Sequence, residues 1–351
     1  MKREQQAARR IGSPGSNEPS KPPSMSTEQL HEAMHLMLLS RAIDERLTKM
    51  QRLGRVGVYG PVSGQEAAVV GSAMALDPRR DWIVPASREQ PAWLRHGLPL
   101  ETLFAIYMGK LDHAMIPEGV NLLPRQQSIG AQLPHAAGLA WALKIRRVKA
   151  AVAVYLGEGA SSEGDFHEAA NLAGVMRVPL VFLLINNQYA ISTPAKKQTA
   201  AVSFSARAAG YGFPGAEIDG NDLVAVYGAT TQAVGRAMRG EGPSLIVLNT
   251  YRLGFHNTSD NPTEYREEAE VSDAARQDPV ERARRFMTEA GIWSPDQEAA
   301  ANQEIQRRVE EAQRLASGYP RPGPEAVFDH VYATLPPRLQ RQRTEVVDGI
   351  D

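Results

Sequence analysis

Two short polar sequences in this chain have the types and spacing of a chemical site: Gly157-Glu158-Gly159 and Asn186-Asn187, separated by the 26 residues 160–185. The glycines at 157 and 159 carry no Cβ, so a phosphate can approach the backbone N–H groups closely there. A helix starting just beyond them would add the positive end of its dipole. Glu158 and Asn187 supply hard oxygen atoms. Mg²⁺ prefers such ligands in a near-octahedral shell, and phosphate oxygens often complete it. The pattern therefore predicts a site for a Mg-diphosphate. The alternative is an ordinary strand–turn–helix that binds nothing, and the paired asparagines weigh against it.

Each polar sequence follows an apolar run, AAVAVYL at 150–156 and PLVFLLI at 179–185. Runs this short, rich in Val, Leu and Ile and without polar alternation, suit strands buried on both faces of a parallel sheet. Between them, residues 165–176 have helical spacing, with Phe166, Ala169, Leu172 and Val175–Met176 on one face. Strand, turn, helix and strand would then deliver both polar ends to one sheet edge, where open α/β sheets bind ligands. A third apolar run, PSLIVLNTY at 243–251, also leads into a polar loop, 252–262.

The remaining pattern builds the layers around this edge. Ser26-Thr27-Glu28 opens a helix that runs to Gly54, with Met34, Met37 and Met50 as core filler. Helices are also predicted over 65–76, 99–108, 129–144, 202–211, 222–239, 278–291 and 295–317, with short strands over 81–85 and 216–219. Residues 57–64 form a glycine-rich loop, and 112–127 is an irregular loop long enough to be functional. The fold class is α/β, a parallel sheet with helices on both faces.

With 351 residues, 42% hydrophobic and 23% charged, the composition is that of an ordinary globular protein. A net charge of −1 argues against a nucleic-acid partner, which needs a basic face. The absence of cysteine excludes disulfides, thiol catalysis and thiolate metal sites, a pattern compatible with a cytoplasmic location. No apolar run approaches a membrane span, and no secretory signal is evident. Residues 1–27 are proline-rich and polar with a net charge of +3, which suits a disordered tail, or alternatively a docking arm for a larger assembly. Residues 28–335 form the predicted domain, and 336–351 a polar C-terminal tail.

A Gly-acid-Gly, about two dozen residues and then Asn-Asn resembles the fingerprint of thiamine-diphosphate enzymes. From about 34 to 335 the chain is similar, more narrowly, to the alpha subunit of the decarboxylating component of 2-oxo acid dehydrogenase complexes. The resemblance rests on PVSGQEAAVVG (61–71), IPEGVNLLP (116–124), IGAQLPHAAG (129–138), SEGDFHEAANLAG (162–174), NNQYAISTP (186–194) and YRLGFHNTSDNPTEYR (251–266). The Pro-Glu-Gly-Val-Asn segment leans toward the pyruvate type. The resemblance implies oxidative decarboxylation of a 2-oxo acid, with acyl transfer to a lipoyl group. The implied enzyme is an α2β2 assembly with a beta subunit, which supplies the glutamate that activates the cofactor. The assembly would dock on a lipoyl-bearing dihydrolipoyl acyltransferase core.

Motif by motif, the resemblance places thiamine diphosphate and Mg²⁺ on this chain. Glu158, Asn187 and the Tyr189 carbonyl would hold the metal. Gly157, Gly159 and Ala160 would approach the diphosphate, and Arg88 would bind its phosphates, the alternative for Arg88 being a surface salt bridge. Ile129 would wedge the cofactor into its bent shape, or else simply be core. His256 matches the catalytic-loop histidine, expected to titrate near neutrality, with Arg252 and Tyr251 ordering its loop and Asp260 and Arg266 forming ion pairs there. His113 stands near a second histidine position of pyruvate-type relatives, which Asp112 matches more closely. His135 and His167 are expected to be structural.

Three departures from the family pattern matter: Glu158 for the usual Asp, Ser87 for a Tyr before Arg88, and Gln90 where some relatives carry His. The rival readings are a branched-chain 2-oxo acid or acetoin dehydrogenase alpha subunit, and a non-catalytic assembly or regulatory subunit that has lost the metal.

Overall fold

The computed structural model describes residues 24–111, 115–329 and 331–349. Asp112, His113 and the predicted N-terminal tail as far as residue 23 lie outside the described residues. In chain order the strands are β1 (Trp82–Val84), β2 (Val152–Gly157), β3 (Leu180–Asn186), β4 (Tyr189–Ala190), β5 (Thr193–Pro194), β6 (Gly215–Asp219) and β7 (Ser244–Asn249). The helices are α1 (Thr27–Arg52), α2 (Glu66–Met74), α3 (Gln90–Arg95), α4 (Leu100–Tyr107), α5 (Gln132–Ile145), α6 (Gly164–Met176), α7 (Leu223–Met238), α8 (Glu268–Ala275), α9 (Pro279–Glu289), α10 (Pro295–Gly318) and α11 (Pro337–Val347).

The main sheet has the order β1-β2-β3-β7-β6, and every neighbouring pair is parallel. Its central strands alternate between two apolar layers. Ala153, Tyr155, Val181, Leu183, Ile246 and Leu248 join α1, α2, α7, α9 and α10 on one face. Val154, Leu156, Phe182, Leu184, Leu245 and Val247 join α5 and α6 on the other. Both faces being covered is why these strands lack polar alternation in the sequence. The buried Tyr155 hydroxyl meets the Ser72 hydroxyl at 2.8 Å, tying the sheet to α2.

After β3 the chain crosses to the edge strand β6 and returns through α7 to β7, beside β3. The segment leaving β3 packs on the α5/α6 face, whereas α7 lies on the opposite one. The carboxyl ends of β3 and β7 thus form a topological switch point, the usual ligand crevice of such sheets.

Several local expectations are corrected. In α6 the buried face is Phe166, Ala169, Ala170 and Ala173, and Val175 is 70% exposed. Spacing of three, four and seven residues keeps those four on one stripe, which Val175 leaves. Residues 202–211 form no α-helix but a 3-10 turn, Ser205–Tyr211, which holds Gly210 and is stopped by Gly212 at φ of +80°. Helix α5 starts at Gln132, not 129, because Gly130 turns the chain with φ of +90°. The polar residues near the C-terminus include a helix, α11, none of whose residues is buried.

Candidate active site

Glu158 follows β2 and Asn187 follows β3, and the register pairs Gly157 with Ile185. The two functional groups are therefore neighbours by construction. The Asn187 backbone N–H donates to Glu158 Oε2 at 3.2 Å. Glu158 is 1% exposed, burial pushes its pKa up against the opposing pull of the nearby Gln198 amide, and its Oε1 makes no hydrogen bond of normal geometry. A buried carboxylate oxygen left unpaired is costly, and such an atom calls for a partner of its own. The Asn187 Nδ2 group donates to Gln65 Oε1 at 3.1 Å, while its Oδ1 accepts only a long contact from the Tyr189 N–H at 3.4 Å. Two hard acceptors, Glu158 Oε1 and Asn187 Oδ1, are thus left for a cation. The third expected ligand is shared: the Tyr189 carbonyl already accepts from Arg252 Nη1 at 3.1 Å, leaving it one lone pair.

Tyr189 sits in the tight β4/β5 hairpin, flanked by Gln188 at φ of +77° and Ile191 at φ of +55°. Non-glycine residues in that region store backbone strain, which is concentrated here on the loop that presents the carbonyl. The glycine turn packs directly against this hairpin. A Cβ on Gly159 would lie 2.6 Å from the Ala190 Cβ, so Gly159 is required to join the two halves of the site as well as to bare its N–H. Around Gly157 a Cβ would meet nothing within 4 Å. Gly159 and Ala160 belong to a 3-10 turn, Gly159–Ser162, and α6 begins only at Gly164. The positive end of α6 is therefore set back from the glycines, and the turn's own N–H groups are the nearer donors.

The catalytic-loop candidate lies across the switch point. His256 is half-buried, and its Nδ1 sits 3.2 Å from Arg88 Nη2 and 3.3 Å from Arg252 Nη1. Both neighbours are donors only, so Nδ1 accepts and the proton resides on Nε2. The expectation of a near-neutral titration is corrected. Burial, then the charges of Arg88 and Arg252, push the His256 pKa down to about 4.

A folded pKa below the unfolded one means that the neutral imidazole contributes stability above pH ~6.5, lost as pH falls toward 4. We expect the His256 imidazole signals in an NMR pH titration to stay in the neutral form from pH 8 to 5. A midpoint above 6 would contradict the geometry.

Arg88 is buried and pairs with no carboxylate among the described residues, so it is not the surface salt bridge of the alternative. Its guanidinium donates to the carbonyls of Pro61 and His256, each at 2.5 Å. Burial, then the charge of Arg252, bring its pKa down to about 10. Arg252 is wholly buried and donates to the Ile191 carbonyl at 2.8 Å and to Tyr265 Oη at 2.7 Å, besides the Tyr189 carbonyl. One side chain therefore joins the metal-side hairpin to the histidine loop, as expected of a residue that orders it. Asp260 and Arg266 do not form the expected ion pairs. Asp260 instead accepts from the His256 N–H and the Tyr265 hydroxyl, each at 2.6 Å, while Arg266 donates to the carbonyls of Arg252 and Gly254. The loop turns so tightly that its carbonyls and one N–H claim these side chains first.

Tyr251 and Tyr189 both donate to the Glu270 carboxylate, at 3.0 and 2.9 Å, so α8 is latched to both halves of the site. Ile129 is 62% exposed and touches no core, which overturns that alternative for it. Of the departures, Ser87 is exposed, whereas Gln90 is buried and donates to the Tyr107 hydroxyl at 2.7 Å, an anchoring role. His135 and His167 are exposed helix residues, His135 bonded within its helix to the Ala131 carbonyl and His167 to the Tyr211 hydroxyl, 44 residues on. Sequence reasoning assigned no role to Gln65 or Glu270. Gln65 stood inside a quoted motif, but its partner is 122 residues away.

Two guanidiniums, a neutral imidazole and a pair of hard acceptors at one switch point suit an anionic ligand carried with a divalent cation. Among the described residues no group of three or more His, Cys, Asp or Glu could hold a metal, so a cation here would draw the rest of its shell from neutral oxygens, water or the ligand. No helix among them is long and apolar enough to cross a membrane.

Residues 34–325 match the family model described as the dehydrogenase E1 component. The chain is 40% identical over 321 residues to the pyruvate dehydrogenase E1 component subunit alpha of Staphylococcus aureus. To the protein of the same description from Staphylococcus epidermidis it is 39% identical. In each case the match covers 91% of this chain and 86% of the relative.

Proposed function

This chain belongs to the dehydrogenase E1 component family, and from that premise we propose that it is the alpha subunit of a pyruvate-type enzyme that oxidatively decarboxylates a 2-oxo acid. It binds thiamine diphosphate with Mg²⁺, pairs with a beta subunit as α2β2, and delivers the acyl group to the lipoyl arm of an acyltransferase core. The observation that carries this reading is the unpartnered Glu158 Oε1 beside Asn187 Oδ1 at adjacent ends of parallel strands. The same observation speaks against a non-catalytic subunit, since a site that had lost its metal would gain by satisfying that oxygen.

When bound, the cofactor supplies the electron sink for decarboxylation. The protein residues do the rest. Glu158, Asn187 and the free lone pair of the Tyr189 carbonyl hold the cation. Gly157, Gly159 and Ala160 leave the backbone open to the diphosphate, and Arg88 offers it charge-assisted hydrogen bonds. His256, neutral and protonated on Nε2, serves as a hydrogen-bond donor that orients an anionic group. Ile129 is apolar and exposed, ready to be covered when the cofactor and the beta chain are in place.

The test is co-purification with the beta chain, then cofactor calorimetry with Mg²⁺ and with excess chelator. We expect binding only with the metal, followed by turnover of pyruvate in preference to branched 2-oxo acids with an artificial electron acceptor. Equal affinity in chelator would refute the metal site. A preference for branched substrates would reassign the acyl pocket.

A further inference from the structure

We propose that Gln65 is a positioning residue that fixes which end of the Asn187 side-chain amide meets the divalent cation; this rests on the metal reading above. An asparagine amide has an oxygen at one end and an NH2 at the other, and only the oxygen can ligate a cation. Neighbouring hydrogen bonds decide between the two orientations. Gln65 Oε1 accepts from Asn187 Nδ2 at 3.1 Å, which directs the NH2 end to Gln65 and leaves Oδ1 for the metal. A flipped Asn187 would set two oxygens against each other and offer the cation an NH2 group.

Gln65 can impose this only if its own amide is held, and burial together with the Val62 carbonyl restricts it. The side chain is 1% exposed, and its Nε2 faces the Val62 carbonyl at 3.5 Å. Its backbone N–H donates to the same carbonyl at 2.9 Å. The turn beneath it is held by two buried carboxylates. Asp44 accepts from the N–H groups of Val62 and Ser63 at 2.9 and 3.0 Å and from the Tyr59 hydroxyl at 2.5 Å. Glu66 accepts from the Gly64 N–H at 2.9 Å and pairs with Arg41. Gly64 lies at φ of +92°, where a Cβ would collide with the Tyr251 carbonyl oxygen, so the turn is locked against the root of the histidine loop. Orientation passes from Asp44 and Glu66 to the turn, from the turn to Gln65, and from Gln65 to Asn187.

The experiment uses the complex with its beta chain, excess thiamine diphosphate and Mn²⁺, with free Mn²⁺ read by electron paramagnetic resonance. Partners of metal ligands typically contribute 10–100-fold in affinity, so Gln65→Met is expected to weaken Mn²⁺ binding by about that factor. Gln65→Glu keeps the acceptor and is expected to bind at least as tightly as the native chain. Asn187→Asp presents oxygen from either end and needs no orienting. The pair Gln65→Met with Asn187→Asp should therefore match Asn187→Asp alone. The proposal is overturned if Gln65→Met binds within about threefold of the native chain, if Gln65→Glu loses as much as Gln65→Met, or if the full loss recurs on the Asn187→Asp background. A native complex that binds no Mn²⁺ would remove the metal reading as well, whereas native binding indifferent to Gln65 removes this proposal alone.

Discussion

Replacing Asn187 with Leu is expected to abolish joint binding of thiamine diphosphate and its cation. The substitution keeps the volume at the end of β3 but deletes Oδ1, and a hard cation gains nothing from a methyl group. It also strips Gln65 Oε1 of its donor and leaves a buried acceptor unpaired. That costs about 1–3 kcal/mol of stability, so the variant complex should melt lower and gain no further stability on adding cofactor and metal. Calorimetry should show affinity reduced by at least about a hundredfold, since a cation deprived of one of three protein ligands loses more than 2.7 kcal/mol. Binding within about tenfold of the native complex would move the cation away from Asn187.

His256→Ala should spare the cofactor and damage the reaction. The residue lies on the loop beyond β7; its ring bonds to Arg88 and Arg252, not to Glu158 or Asn187, and both arginines keep carbonyl partners that hold them without it. An orienting or proton-handling group contributes about 10²–10⁴-fold in rate. Turnover to a lipoyl acceptor, normalised to the cofactor-bound fraction, should fall within that range, while cofactor affinity stays within about threefold. Removing the ring takes one acceptor from each of Arg88 and Arg252, which keep their carbonyl partners, so a little stability is lost too. A lower melting point with normalised turnover changed by less than about threefold would make His256 a structural spacer.

The strands that carry the site were legible because burial on both faces leaves an uninterrupted apolar run, and each run ends abruptly in polar residues. Glu158 and Asn187 follow from that alone. Gln65 was not legible as a contributor. Locally it is one polar residue at the start of a small-residue helix, and its meaning comes from a contact made only after the sheet has formed. The state of His256 was hidden for the same reason. Its intrinsic pKa is near neutral, but Arg88, 168 residues away, is folded against its ring nitrogen. Within helix α6 the period was legible but its phase was off at one end, which put Val175 inside rather than outside. The carboxyl-terminal helix α11 buries nothing, so no apolar stripe announces it.

The arrangement of Arg88, Arg252 and Arg266 around Glu158 and Asp260 has a consequence for how the site fills. The pKa of Arg252 is lowered by burial and by its neighbouring cation Arg266, and its guanidinium donates to the Tyr189 carbonyl, the expected third metal ligand. A positive charge so close to the metal position sets up a potential that repels a bare cation there. A bare divalent cation entering ahead of the diphosphate climbs this potential and meets Glu158 as its single carboxylate. The same cation already chelated by the diphosphate arrives close to neutral and meets no such barrier. We therefore expect concerted filling, the metal entering as cargo of the cofactor, so that metal added alone binds weakly even where the complete complex is tight.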